Sequence, residues 1–139
     1  MSGFDLERIA IETSIDDIDF HNALGSTNTR AIELAKQGHS LPCLVLAKLQ
    51  TAGRGQGGRN WIADVGSLTF SLVVPNVPPE SKSLLPILTA YSVCQAIEAI
   101  GGTPSPSIKW PNDVLIENEK VAGILIENVS LQVETANST

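Results

Sequence analysis

Apolar and polar positions alternate with period two from Ile15 to Phe20. They do so again from Ser67 to Val74, where Leu68, Phe70, Leu72 and Val74 fall on one side. Such alternation predicts strands with one apolar face. Leu41 to Leu49, with Cys43-Leu-Val-Leu-Ala at its heart, predicts a buried strand. Helical spacing occurs twice. After Ser26-Thr27-Asn28, which offers capping hydroxyls, Ala31, Leu34 and Ala35 form a narrow stripe that ends at Gly38, a suitable C′ residue. Leu84, Leu88, Tyr91, Ala96, Ile97 and Ile100 predict the main core helix, with Pro86 tolerated in its first turn and Gly101-Gly102 stopping it. Asn22 to Gly25 reads as a turn and the proline-rich stretch from Pro75 to Ser83 as a connector. Ser107 to Trp110 predicts a short strand entering a Pro111-Asn112-Asp113 turn. Val114 to Glu117 and Lys120 to Glu127 predict a hairpin around Asn118-Glu119, with Gly123 allowing close backbone approach. The sum is an α+β domain with a mixed, mostly antiparallel sheet. Residues 1–13 and 131–139 carry little pattern and are expected to be loosely held.

Size and charge narrow the class. A chain of 139 residues is long enough for one domain with a real core, and 42% hydrophobic with 17% charged residues is a globular composition. A formal charge of −6 argues against general binding to nucleic acid or to a membrane surface. No apolar run is long enough to span a bilayer and no secretory h-region is present, so a cytoplasmic location is expected. Cys43 and Cys94 sit in apolar surroundings that suit core packing. His21 and His39 show no partner pattern along the chain, so no metal site is expected.

One stretch departs from the acidic background. Gln50-Thr-Ala-Gly-Arg-Gly-Gln-Gly-Gly-Arg-Asn-Trp61 holds four glycines and two arginines, and no Asp or Glu occurs from Leu34 to Ala63. A glycine-rich loop can expose backbone N–H groups, and guanidinium groups beside it favour an anionic ligand. Gly53-x-Gly55-x-x-Gly58 matches a dinucleotide fingerprint in letters only, because a strand rather than a helix follows and no ribose-binding carboxylate lies about twenty residues on. A P-loop is excluded because no Lys-Ser or Lys-Thr follows the glycines. The second cluster is Lys109-Trp-Pro-Asn-Asp113, where a lysine at a strand end is placed to stabilise developing negative charge. Plainer roles compete: N-capping for Ser26 and Thr27, core packing for Trp110, and turn chemistry for Asn112 and Asp113.

Together, Ser26-Thr-Asn28, the Gln50–Trp61 stretch, Lys109–Asp113 and Lys120-x-x-Gly-Ile-Leu125 resemble, in order and spacing, the biotin protein ligases, enzymes that attach biotin to acetyl-CoA carboxylase. The likeness covers about residues 15–128. It implies a class II aminoacyl-tRNA synthetase-like scaffold, shared with lipoate ligases, and an ATP-dependent activation of biotin to biotinyl-5′-AMP followed by transfer to a lysine of the biotin carboxyl carrier protein domain. On the matching positions it implies biotin binding by Ser26, Thr27, Asn28, Gln50, Gly53, Arg54 and Gly123. ATP or adenylate would be held by Arg54, Gly55, Gln56, Gly58, Arg59, Trp61, Asn112 and Lys120, with Lys109 and Arg54 catalytic and Mg²⁺ shielding the pyrophosphate. A homodimer is compatible with the resemblance.

Two departures stand out. Gln56 occupies a position where the family usually has arginine. The family also continues beyond Ile124-Leu-Ile-Glu127 with a further strand and a small β-domain, so the catalytic domain is expected to be incomplete. The alternatives are a non-catalytic module that binds biotin or adenylate, and a lipoate or octanoate ligase or transferase.

Overall fold

The computed structural model describes residues 3–131. Their order is α1 (Leu6–Glu12), β1 (Asp17–Leu24), α2 (Thr27–Lys36), β2 (Cys43–Arg54), β3 (Asn60–Ala63), β4 (Thr69–Val73), α3 (Leu85–Ala99), β5 (Ser107–Lys109), β6 (Asp113–Ile116) and β7 (Glu119–Gly123). Two compact units result: one built on the chain up to Pro75 together with the chain from Glu127, the other on Asn76–Ile126.

The first unit is a mixed sheet. β1 lies parallel to β2, while β3 and β4 pair antiparallel with β2. The β1–β2 connection runs through α2, which the parallel pairing requires, since no tight turn joins parallel strands. Ser26 is in extended conformation and its hydroxyl accepts from Thr29 N–H, which starts the helix. At the far end Gly38, at φ +73°, donates to Ala35 O and His39 donates to Leu34 O, the paired bonds of a Schellman cap. Ala31 and Leu34 of α2 pack on Cys43 and Val45 of β2, with Leu24, Leu41 and Val73 around them. Cys43 to Ala47 are all buried because β2 has strands on both sides and α2 on one face.

Several expectations shift. β1 continues through Asn22 to Leu24, where a turn was expected. Leu6–Glu12 forms a helix: Asp5 accepts from Arg8 N–H, an Arg8–Glu12 ion pair spans one turn, and the helix has no buried residue. In β4 the face opposite to the expected one is buried. Thr69 and Ser71 are buried while Phe70 and Leu72 are 49% and 46% exposed. The reason is polar: Ser71 turns its hydroxyl onto the start of α2.

The second unit packs α3 on a three-stranded antiparallel sheet, β5-β6-β7. Its centre is Ala90, Cys94 and Val114, ringed by Val93, Ile97, Ile108, Ala122 and Ile124. The buried stripe of α3 is therefore Ala90, Val93, Cys94 and Ile97. Leu84, Leu88, Tyr91 and Ile100 are exposed instead of core, because small residues let the helix lie close on its short strands. Gly101, at φ +81°, and Gly102 donate to Glu98 O and Ile97 O and stop α3 with a second Schellman cap. The β6–β7 turn has Glu117 and Asn118 both at positive φ, the type I′ geometry of a two-residue hairpin. Trp110, expected in the core, is 71% exposed. The stretch 132–139 lies outside the described residues.

Candidate active site

The first unit gathers buried polar side chains where the start of α2 meets β2 and β4. The first N–H groups of a helix have no partner inside it and need one when buried. Gln50 of β2 supplies one: its Oε1 accepts from Thr27 N–H (2.8 Å) and lies 3.3 Å from Thr27 Oγ1. The Ser71 hydroxyl joins Thr27 Oγ1 at 2.8 Å and also meets Asn28 Oδ1. Ser26, Thr27, Gln50 and Ser71 are buried and bonded, with every buried side-chain polar atom among the described residues satisfied. Thus Ser26 does cap the helix, and Thr27 is bound to a second expected site residue, Gln50.

β2 then carries the site outward. Its register against β3 slips between Gln50 and Gly53, leaving one extra residue on β2, a bulge whose Ala52 N–H donates to Gly25 O at 2.7 Å. Gly53 is buried, and a Cβ there would collide with the Gln50 amide and the Trp61 carbonyl; only glycine fits. Gln50, Thr51, Gly53, Asn60, Trp61 and Asp64 line an open cleft of about 590 Å³. The stretch expected to be a glycine-rich loop is a hairpin: strand through Arg54, a 3₁₀ turn at Gln56–Gly58, then strand again. Gly55 N–H, expected to face an anion, donates to Arg59 O at 2.7 Å and closes that hairpin. Gly57 and Gly58 supply its positive φ values, and Gln56, Gly58 and Arg59 are exposed around the tip.

Arg54 has a partner that the sequence did not reveal. Its Nη1 and Nη2 donate to the two carboxylate oxygens of Glu127, at 3.1 and 2.7 Å, and its Nε donates to Thr29 Oγ1 at 3.2 Å. Asn28 Nδ2 donates to the same carboxylate at 3.1 Å. The Arg54 hydrogen bond holds Glu127 below the usual carboxylate range, against the opposing effect of burial, and the same bond raises Arg54. The end of the guanidinium that would grip a ligand's carboxylate or phosphate is thus occupied by a carboxylate of the chain itself.

The remaining expected residues lie in the second unit. Lys109 is exposed at the end of β5 and pairs in register with Asp113. Asn112 Nδ2 donates to Ile124 O (2.9 Å) and the Asn112 backbone carbonyl accepts from Ile124 N–H (3.0 Å), so side chain and backbone together fasten the segment after β7. Lys120 Nζ pairs with Asp113 Oδ1 at 2.8 Å, and Gly123 ends β7 opposite Asp113.

With this geometry in place, the sequence profile of the Biotin/lipoate A/B protein ligase family matches residues 22–138, which takes in every one of these positions. The chain belongs to that family. Among curated ligases it is 41% identical over 105 residues to the biotin–[acetyl-CoA-carboxylase] ligase of Paracoccus denitrificans, covering 74% of this chain and 43% of the relative. It is 38% identical over 124 residues to the bifunctional ligase/repressor BirA of Bacillus subtilis, covering 86% and 38%. A biotin protein ligase from Aquifex aeolicus, solved with biotin and ATP, superposes with a TM-score of 0.69 at 33% identity, covering 82% of this chain and 47% of that one. The enzyme from Leishmania major with biotin gives 0.72 at 29%, covering 83% and 52%. The chain spans less than half the length of these curated relatives.

Within this ligase family, two residues join the site that sequence reasoning missed. Ser71 fell on the polar side of an expected strand, and Glu127 at the end of the expected Lys120–Glu127 strand, which stops at Gly123. Neither is marked by spacing, since Ser71 reaches α2 across 43 residues and Glu127 reaches Arg54 across 73. Among the described residues no helix is long and apolar enough to cross a membrane.

Proposed function

We propose that this chain is the adenylate-forming region of an ATP-dependent biotin protein ligase. The observation that carries the reading is the Thr27–Gln50–Ser71–Asn28 network, buried at all but Asn28, beside a cleft walled by Gly53 and Trp61, in a chain whose solved relatives bind biotin and ATP. A cyclic urea offers a carbonyl acceptor and N–H donors. A pre-formed set of amide and hydroxyl groups suits such a group because each bonded oxygen has a second lone pair and each side-chain amide has N–H donors.

In the proposed reaction a carboxylate oxygen of biotin attacks the α-phosphorus of ATP, the bond to the bridging oxygen breaks, and pyrophosphate leaves. A carrier-protein lysine amine then attacks the biotinyl carbonyl and releases AMP. Ser26, Thr27, Asn28 and Gln50 bind the ureido end and Gly53 leaves room for it. Arg54 neutralises the reacting anions once it exchanges Glu127 for them. Arg59 and the exposed tip around Gly55, Gln56 and Gly58 meet the phosphates, while Trp61 covers the adenylate. Lys109 bridges carboxylate and α-phosphate, lowering the repulsion that opposes attack. Gly123 and Lys120 contribute from β7, with Asn112 fixing that segment. Mg²⁺ enters as the counter-ion of ATP. Asp113, a candidate carboxylate ligand in the second unit, is paired with Lys120, so no protein site is assigned to the ion. The acceptor is the biotin carboxyl carrier domain of acetyl-CoA carboxylase, in the cytoplasm.

Biotin-dependent exchange of labelled pyrophosphate into ATP tests this. Exchange in the wild type with loss of at least a hundredfold in Lys109→Met, at unchanged circular dichroism, is expected; full exchange in that variant removes Lys109 from its role. Tight biotin binding by calorimetry with no exchange would indicate a binding module instead. Competition by lipoate but not by biotin would indicate a lipoate or octanoate enzyme.

A further inference from the structure

The first unit holds a second group of chemically active side chains, outside the site just described. Asp17 opens β1 and Cys43 opens β2, and the parallel register pairs the two residues directly. The Schellman cap at Gly38 turns the chain back at the end of α2, which sets His39 beside that strand pair. His39 Nε2 is 2.6 Å from Asp17 Oδ2, and one oxygen, one imidazole nitrogen and the thiol sulfur all lie within 4.8 Å of one another.

We infer that Asp17, His39 and Cys43 form a binding site for a borderline divalent cation, Zn²⁺ being the best fit. Ligand bonds of about 2.0–2.3 Å in tetrahedral geometry place donor atoms roughly 3.3–3.7 Å apart, so closing this triad on an ion asks for movements of about 1 Å or less. A sulfur, an imidazole and a carboxylate suit zinc or cobalt; magnesium and calcium prefer oxygen alone, and copper(I) prefers further sulfur. Three protein ligands leave a fourth position for water. The Asp17 and His39 side chains are 32% and 37% exposed and provide the way in, while Cys43 lies at the bottom with no exposed surface.

Charges surround the thiol on the β1–β2 edge. Burial, then Asp17 and Asp19, raises the Cys43 thiol, with Arg30 opposing. On binding, the thiol proton passes to solvent and the thiolate is stabilised by the metal. Asp19 adds negative charge, offset by its partners Arg30 (2.8 Å) and His21 (2.9 Å). The direct His39–Asp17 contact is replaced by two bonds to the ion. This inference does not depend on the ligase reading, because its readout is the metal itself.

The whole chain is titrated with Co²⁺ and with Zn²⁺. One equivalent of Co²⁺ should bind with a near-ultraviolet thiolate-to-cobalt charge-transfer band, and Zn²⁺ should displace it. Cys43→Ser and His39→Ala should each abolish the band. Cys94→Ser should keep it, since Cys94 is buried in the other unit. Should Cys43→Ser fail to fold by circular dichroism, His39→Ala, at a half-exposed side chain, decides the question. Absence of the band in the wild type, or its survival in His39→Ala, overturns the site.

Discussion

The buried start of α2 and the exposed tip of the β2–β3 hairpin were both expected to touch ligand, yet they are built in opposite ways. At the start of α2, Ser26, Thr27, Gln50 and Ser71 are enclosed and already paired, with Gln50 held by Thr27, and Ser71 by Thr27 and Asn28. At the tip, Gln56 to Arg59 are exposed on a 3₁₀ turn closed by backbone bonds from Gly55 N–H to Arg59 O and from Arg59 N–H to Gln56 O. The first is a rigid floor whose geometry exists before ligand arrives. The second lies open to solvent, and in the proposed reaction it would close around phosphates. The proposed reaction would use both, because the acid must be oriented for attack while the nucleotide must be able to enter before it is covered.

Four substitutions break or sharpen this contrast. Gly53→Ala should have the largest effect, since its Cβ would meet the Trp61 carbonyl, part of the backbone, as well as Gln50. We expect a loss of about 2–3 kcal/mol in urea unfolding and loss of biotin binding by calorimetry. Gln50→Ala should follow, at about 1–3 kcal/mol, because it strips the acceptor from a buried helix-start N–H; biotin affinity should fall more than ATP affinity. Gly57→Ala at the tip should cost only about 1 kcal/mol. Its φ of +68° disfavours a side chain, but nothing lies within 4 Å of the added carbon. A cost at Gly57 equal to that at Gly53 would erase the distinction between floor and tip.

Glu127→Gln should be the smallest in stability, at most about 1 kcal/mol for a half-exposed pair. It also separates two meanings of the Arg54 contact. If Glu127 holds the place of a ligand anion, Glu127→Gln should tighten binding of the adenylate; weaker binding would make Glu127 a support for Arg54. The pH dependence has a definite sign. Glu127 lies lower in the folded chain than its ordinary value, so its contribution is complete above the ordinary glutamate range and is lost as pH falls through the lowered value. Thermal midpoints of wild type and Glu127→Gln should therefore converge on acidification below that range.

What the sequence made legible was what local physics decides. The Ser26 cap, the Gly38 terminator and the apolar run of β2 each depend on neighbours a few residues away, and each stands where expected. The stripe of α3 was misplaced because leucine and tyrosine carry the hydrophobic signal, whereas the contact is made by Ala90 and Cys94. The faces of β4 were reversed because Thr69 and Ser71 look like solvent residues until α2 supplies a partner for Ser71. Among site residues, Gln50 and Thr27 were named separately, and their mutual bond emerged only from the fold. Glu127 had no signal at all, since an acid after an apolar run reads as an ordinary strand end.

One strand runs through most of this. β2 begins at Cys43, in the thiol–imidazole–carboxylate triad, passes through the packed centre of its unit, and ends at Arg54 beside Glu127. From Cys43 to Gln50 it spans roughly 23 Å of extended backbone. An ion seated at one end and a vitamin at the other would pull on the same taut thread. Amide exchange along Leu44 to Leu49 should then slow when either is added, giving a common gauge for two occupants that never touch.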